Sequence, residues 1–184
     1  MRFIGLDAGS VSVKYVILDK KGQKLDGHYV RHKGHPVKVA LEMLRSIISK
    51  QPSAISHQQS SHTDFPDFSL SITGSAGRLI ASVLGIEPVN ELVAQAYSTG
   101  RLYPDIRTIF ELGGEDSKLI VLGKNSVKEF AMNSVCAAGT GSFLDQQAQR
   151  LRLTIEEFSE LSLRSEKPPR IAGRCSVFAK SDMI

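Results

Sequence analysis

Residues 5–19, GLDAGSVSVKYVILD, and residues 110–122, FELGGEDSKLIVL, decide the fold. Each begins as an apolar run that ends on an acid, passes through a glycine-bearing turn, and resumes as a second apolar run. A shift of 104 positions lays Asp7 on Glu111, Gly9 on Gly113 and Lys14 on Lys118. The same strand–turn–strand unit twice in one chain points to two related half-domains facing one cleft. The expected division is residues 1–104 and 105–184.

The flanking sequence fits that reading. RFIGLDA (2–8) reads as a buried strand, and VSVKYVILD (11–19) alternates as a second strand should. After the turn KKGQ (20–23), KLDGHYVRHK (24–33) returns as a third strand and completes an antiparallel meander. Pro36 opens a helix whose apolar residues Val37, Ala40, Leu41, Leu44, Ile47 and Ile48 keep helical spacing. The Ser-, Gln- and His-rich stretch 51–68 reads as an exposed connection. A short strand (69–73) and helices near 76–84 and 90–100 follow. A second meander is expected at 107–112, 115–123 and 126–132. A helix near 141–151 is patterned by Phe143, Leu144, Gln147, Ala148 and Leu151. Thr154 with Glu157 has the spacing of a capping box. The class is α/β.

Composition narrows the function classes. With 184 residues, 41% hydrophobic and 23% charged, the chain is globular in character. No apolar run reaches the roughly 18 residues of a membrane helix, and no basic-then-apolar leader opens the chain. A cytoplasmic protein without a membrane partner is expected. The net charge of +4 is mild and scattered rather than striped, so no nucleic-acid partner is expected.

The two turns carry the chemistry. A glycine between two strands exposes backbone N–H groups and lets an anion come close, because no Cβ intervenes. In each turn a carboxylate, Asp7 or Glu111, stands just before the glycine. One such acid can hold hydrated Mg²⁺, and another can orient water toward a γ-phosphate. Ser10, Ser12 and Lys14 can donate to phosphate oxygens, as can Lys118 and the backbone at Gly9, Gly113 and Gly114. Either turn alone reads equally as an ordinary hairpin with a solvated acid; the pair favours a nucleotide. The chain has no G-x-x-x-x-G-K-S/T loop and no G-x-G-x-x-G after a strand, so phosphate binding falls to the hairpin turns.

In this respect the chain resembles the actin, Hsp70 and sugar-kinase superfamily. GLDAGSVSVKYVILD is similar to its first phosphate motif and FELGGEDSKLIVL to its second. ELGGEDSK (111–118), NSVCAAGTGSFLDQQAQRL (133–151) and IAGRCSVFAKSDMI (171–184) together resemble the activators of 2-hydroxyacyl-CoA dehydratases and the ATPase subunits of benzoyl-CoA reductases, the BadF/BadG/BcrA/BcrD-type ATPases. The similarity covers nearly the whole chain outside 51–68, and the cysteine motifs carry it more specifically than the phosphate turns. Where the smaller activators usually have Asp and Gln, this chain has Glu111 and Glu115, the form of the long, fused members.

The resemblance implies a ribonuclease H-like, actin/Hsp70-type ATPase fold with duplicated half-domains. Family domains continue past the position of Ile184, so it implies that the second half is cut short. It implies ATP and Mg²⁺ as ligands, with Asp7 on the metal. It places Glu91, in NELVAQA (90–96), near the nucleotide; on its own, Glu91 is a solvated acid in a helix's first turn. The two cysteines, Cys136 and Cys175, both precede segments with helical spacing. On chemistry alone they read as buried structural thiols. The resemblance makes them ligands of an iron–sulfur cluster. Because a [4Fe–4S] cluster takes four thiolates, a homodimer sharing one cluster is expected. A ferredoxin or flavodoxin would supply the electron, and a dehydratase or reductase partner would receive it. A small-molecule kinase on the same fold, which has no use for paired cysteines at helix starts, and a non-redox, actin-like assembly ATPase, in which nucleotide would only switch conformation, are the alternatives. His28, His32 and His35 match no familiar metal spacing and read as a solvated edge strand.

Overall fold

Strand β1 (Arg2–Ala8) buries Ile4, Leu6 and Ala8 on one face, the alternation its sequence requires. The computed structural model of the chain describes residues 1–49, 68–123, 126–134, 136, 138–173 and 175–183. β1 pairs antiparallel with β2 (Ser12–Leu18), and β2 pairs with β3 (Lys24–Arg31), which gives the expected meander. Helix α1 (Pro36–Ser49) follows, and β4 (Phe68–Thr73) then lies parallel to β1 on its other side. The sheet order is β3-β2-β1-β4. The connection read at 51–68 falls outside the described residues except for Phe68, which begins β4.

The buried stripe of α1 is Ala40, Met43, Leu44 and Ile47. Met43 takes the place the periodicity gave to Ile48, which is 48% exposed. This stripe packs with Ile4, Leu6, Val13 and Ile17 of the sheet and with Ile80 and Ala81 of α2 (Gly77–Leu84). Gly85 closes α2 at φ 68°, a left-handed cap that favours glycine.

Helix α3 (Glu91–Leu102) leads into the second meander, β5 (Thr108–Leu112), β6 (Ser117–Leu122) and β7 (Val127–Asn133), in the order β5-β6-β7. Helices α4 (Gly141–Arg150), α5 (Ile155–Leu163) and α6 (Ser176–Asp182) complete the described chain. The capping box at the start of α5 is present. Thr154 Oγ1 accepts from the Glu157 N–H at 3.2 Å, and Glu157 accepts from the Thr154 N–H at 2.8 Å. Two compact units result, Met1–Gln95 and Ala96–Ile184. Their boundary falls inside α3, whereas the repeat placed it between 104 and 105, after that helix. Among the described residues no helix is long and apolar enough to cross a membrane.

Candidate functional site

In the first unit the turn between β1 and β2 closes by a bond from the Gly9 N–H to the Ser12 carbonyl, 2.9 Å. The hairpin register sets Asp7 directly opposite Lys14. Their side chains meet, Lys14 Nζ lying 2.7 Å from Asp7 Oδ2. Residues opposite each other in an antiparallel pair share a face, so this contact follows from the register alone. The second carboxylate oxygen, Asp7 Oδ1, is buried and has no hydrogen-bond partner, and the same holds for Thr73 Oγ1. Thr73 is the register partner of Asp7 on β4. Two adjacent buried acceptors without donors are atoms that a bound water or cation would satisfy. Gly74, at φ +96°, follows Thr73, and a Cβ there would collide with the Ala8 carbonyl and the Asp7 carboxylate. Only glycine admits this approach. A pocket of about 320 Å³ opens on the same sheet face, lined by Asp7, Lys14, Tyr15, Thr73, Val89 and Ala94 among others.

The turn is tied to the fold from two directions. The Ala76 N–H donates to the Ala8 carbonyl at 2.8 Å. From the loop after β3, His32 Nε2 lies 3.2 Å from the Gly9 carbonyl, while its Nδ1 accepts from the Gly34 N–H at 3.1 Å. His32 is only 6% exposed. The solvated edge-strand reading therefore fails for it: His32 lies beyond the end of β3 and is buried on the turn. It holds for His28, which is exposed on β3 with its ring 6.3 Å from that of Tyr15. Ser10 is half-buried and Ser12 is buried at the first position of β2.

The second unit repeats the arrangement with more charge. Glu111 and Lys118 are register partners, and Lys118 Nζ lies 2.9 Å from Glu111 Oε2. Asp116, which sequence reading passed over, adds a second carboxylate 3.1 Å from the same ammonium. Lys118 is thus enclosed, its side chain 5% exposed, where Lys14 is 43% exposed. The carbonyls of this turn cap α4. Gly141 N–H donates to the Gly113 carbonyl at 2.7 Å, and Ser142 N–H donates to the Gly114 carbonyl at 3.0 Å. The Ser142 hydroxyl also donates to the Gly114 carbonyl. Thr140 is the N-cap residue by backbone conformation but makes no side-chain capping bond. The chain itself satisfies N–H groups that a capping side chain would otherwise serve.

The remaining candidates lie elsewhere. Glu91 is the first residue of α3, whose opening N–H groups at Leu92 and Val93 bond to Asn90 Oδ1. Ala94, one turn on, lines the pocket beside Asp7. Cys136 and Cys175 belong to the second unit; both are free and half-buried. Asn133 holds the Cys136 backbone at both ends, with Nδ2 to its carbonyl at 3.0 Å and Oδ1 from its N–H at 3.3 Å. Cys175 is the N-cap residue of α6. Two unpaired thiols are half the ligand set of a [4Fe–4S] cluster. Among the described residues no group of three His, Cys, Asp or Glu is gathered as a metal site.

The chain has the mixed α/β fold of the actin/Hsp70 type, and the solved structures similar to it include component A of a 2-hydroxyglutaryl-CoA dehydratase and the activator of a 2-hydroxyisocaproyl-CoA dehydratase. Residues 4–184 match the BadF/BadG/BcrA/BcrD ATPase family, and the chain belongs to that family. It is 29% identical over 182 residues to the (R)-2-hydroxyglutaryl-CoA dehydratase activating ATPase of Acidaminococcus fermentans, an alignment spanning 98% of this chain and 65% of that protein. It is 32% identical over 188 residues to the activator of lactoyl-CoA dehydratase of Anaerotignum propionicum, spanning all of this chain (100%) and 67% of the other. The structure of the activator of the 2-hydroxyisocaproyl-CoA dehydratase from Clostridium difficile with bound ADPNP matches with a TM-score of 0.76 at 28% identity, over 99% of this chain and 64% of that one. The chain therefore spans about two thirds of the length of these relatives.

Proposed function

We propose that this protein is an ATP-hydrolysing activator that delivers a low-potential electron to a CoA-ester dehydratase or reductase-type partner. The observation that carries this reading is the repeated acid–glycine–lysine turn, with Asp7–Lys14 at 2.7 Å in one unit and Glu111–Lys118 at 2.9 Å in the other. Relatives named as dehydratase activators support the partner class, and the ADPNP bound to one of them supports the nucleotide.

In this reading Asp7 holds a hydrated Mg²⁺, for which the donorless Oδ1 is the fitting atom. Gly9, whose own N–H is bonded to the Ser12 carbonyl, lets a phosphate come close, Ser10 offers a backbone N–H group, and Ser12 and Lys14 offer side-chain donors to phosphate oxygens. In the second unit Gly113 and Gly114 offer backbone N–H groups, while Lys118, enclosed by Glu111 and Asp116, fixes the acids that flank the site. Glu111 orients the water that attacks the γ-phosphate, and Glu91 acts beside the nucleotide as a further acid. The lysine in each turn holds its carboxylate in place by a salt bridge, 2.7 Å at Asp7 and 2.9 Å at Glu111. Cys136 and Cys175, with the same pair from a second copy, would hold one [4Fe–4S] cluster, which supplies one-electron chemistry when bound. A ferredoxin or flavodoxin in the cytoplasm is the electron donor.

Asp7→Ala tests the nucleotide half of this proposal. In the whole protein the variant should keep its fold, because the Asp7 side chain is 35% exposed and carries little packing. Mg²⁺-dependent ATP hydrolysis should fall by about a hundredfold or more. Hydrolysis at the parental rate would remove the first turn from the reaction.

A further inference from the structure

We infer that His32 is a positioning residue for the first phosphate turn, setting the direction of the turn's N–H groups rather than touching the nucleotide. The inference rests on the reading of that turn as a phosphate site. Nδ1 accepts from the Gly34 N–H, so it carries no proton, and Nε2 is then the nitrogen that donates to the Gly9 carbonyl. The His32 main-chain N–H adds a bond to the Val11 carbonyl at 3.1 Å. One buried residue therefore holds two carbonyls of the turn, at Gly9 and Val11.

The consequence follows from peptide geometry. In a planar trans peptide the C=O and the following N–H point in opposite directions. No cis peptide occurs among the described residues. Fixing the Gly9 carbonyl on His32 therefore turns the Ser10 N–H away from the imidazole, out of the turn. Released from His32, the Gly9–Ser10 peptide is free to rotate and to present a carbonyl where an N–H should stand. An anion would gain from the first orientation and be repelled by the second.

The loop is shaped to place the ring. Lys33 and Gly34 both have positive φ, 49° and 86°, which folds the Gly34 N–H back onto Nδ1. A lysine in that region is unfavourable by about 1 kcal/mol or more, and such strain persists only where surrounding structure imposes it. A buried imidazole with both nitrogens used fits neither a solvated edge strand nor a metal ligand.

Two substitutions separate the two ring nitrogens. In His32→Gln the side-chain amide reaches as far as Nε2 and can still donate to Gly9. In His32→Asn the shorter amide can accept from Gly34 but falls short of Gly9. In the whole protein, Kd for ADPNP by calorimetry and KM and kcat for ATP are compared with the parent, and melting temperatures are recorded. The Asn variant should bind ADPNP about three- to tenfold more weakly, the effect of one lost hydrogen bond. Its KM for ATP should rise alike, with kcat within about twofold of the parent's. The Gln variant should restore Kd to within about twofold even where its melting temperature is lowered, since it keeps the bond that orients the turn. Equal ADPNP binding by parent, Asn and Gln forms overturns the inference, as does weakening in both that tracks melting temperature. Asp7→Ala is run alongside. If it too leaves ADPNP binding and hydrolysis unchanged, the phosphate reading of the turn has failed; if it abolishes hydrolysis while the His32 variants match the parent, only the role of His32 has failed.

Discussion

Lys118 is held between Glu111 and Asp116 with 5% of its side chain exposed, while Lys14 meets only Asp7 and is 43% exposed. The two lysines are equivalent in the repeat but not in energetics. Removing a buried partner leaves uncompensated charge, and here it leaves two carboxylates facing each other. Both acids remain partly hydrated, at 21% and 29% exposure, which softens the penalty. Lys118→Met should therefore destabilise the protein by about 2 kcal/mol, and Lys14→Met by less than about 1 kcal/mol, read from urea midpoints. Equal losses would mean that the enclosure of Lys118 adds nothing. The four residues were legible in the sequence as a repeat, but their pairing was not read from it; it follows from the hairpin register, which sets residues seven positions apart opposite each other. His32 was not legible. Its bond to Gly9 spans 23 residues, and nothing local in RHKGHP distinguishes a buried imidazole from a solvated one. Asp116 was missed for a different reason: one acid among three near a turn carries no signal of which one faces the lysine.

At the scale of elements, α5 is the helix whose start the sequence specified most completely. Its capping box satisfies two orphan N–H groups reciprocally, and none of its residues is buried. A helix with so little packing depends on its cap, so Thr154→Ala should cost about 1 kcal/mol and lower helicity by circular dichroism. The backbone N–H of Thr154, and then its hydroxyl contact, hold the Glu157 carboxyl below its usual pKa. A depressed folded-state value means that the contribution is complete above the ordinary carboxylate range. It is lost as pH falls through the lowered value. The Thr154→Ala difference should accordingly shrink in acid, and a difference that grew there would contradict the assignment. α4 shows the opposite case. Thr140 stands at its N-cap without a side-chain capping bond, and the carbonyls of Gly113 and Gly114 take the first N–H groups. A cap supplied by a segment 28 residues away is tertiary and leaves no local pattern. The parallel pairing of β4 with β1, which brings Thr73 beside Asp7, was hidden for the same reason.

Across the whole molecule the two units differ in how they are built. The first encloses a core that joins β1, β2, β4, α1 and α2. In the second, the described buried apolar residues are Ile120, Leu122, Ala148 and Ala179, while Phe110, Leu112, Phe130 and Met132 of its sheet are more than half exposed. The α/β class and both meanders were readable from apolar alternation. The cysteines read as inert thiols by chemistry and as cluster ligands only through family resemblance, and a fold does not by itself assign a function.

The proposal that this protein moves electrons rests on Cys136 and Cys175, and iron and sulfide content tests it most directly. The whole protein and its Cys136→Ser and Cys175→Ser variants are purified and reconstituted without oxygen, and mass in solution is measured on the same samples. One [4Fe–4S] cluster shared by two copies predicts about two irons and two sulfides per chain in a dimer. Each single variant removes two of the four ligands at once. It should lose the iron almost entirely and weaken the dimer, because cluster binding is coupled to assembly. ADPNP binding should survive in both, since the phosphate turns lie in other segments. A parent with about four irons per chain, or with none, would contradict the account.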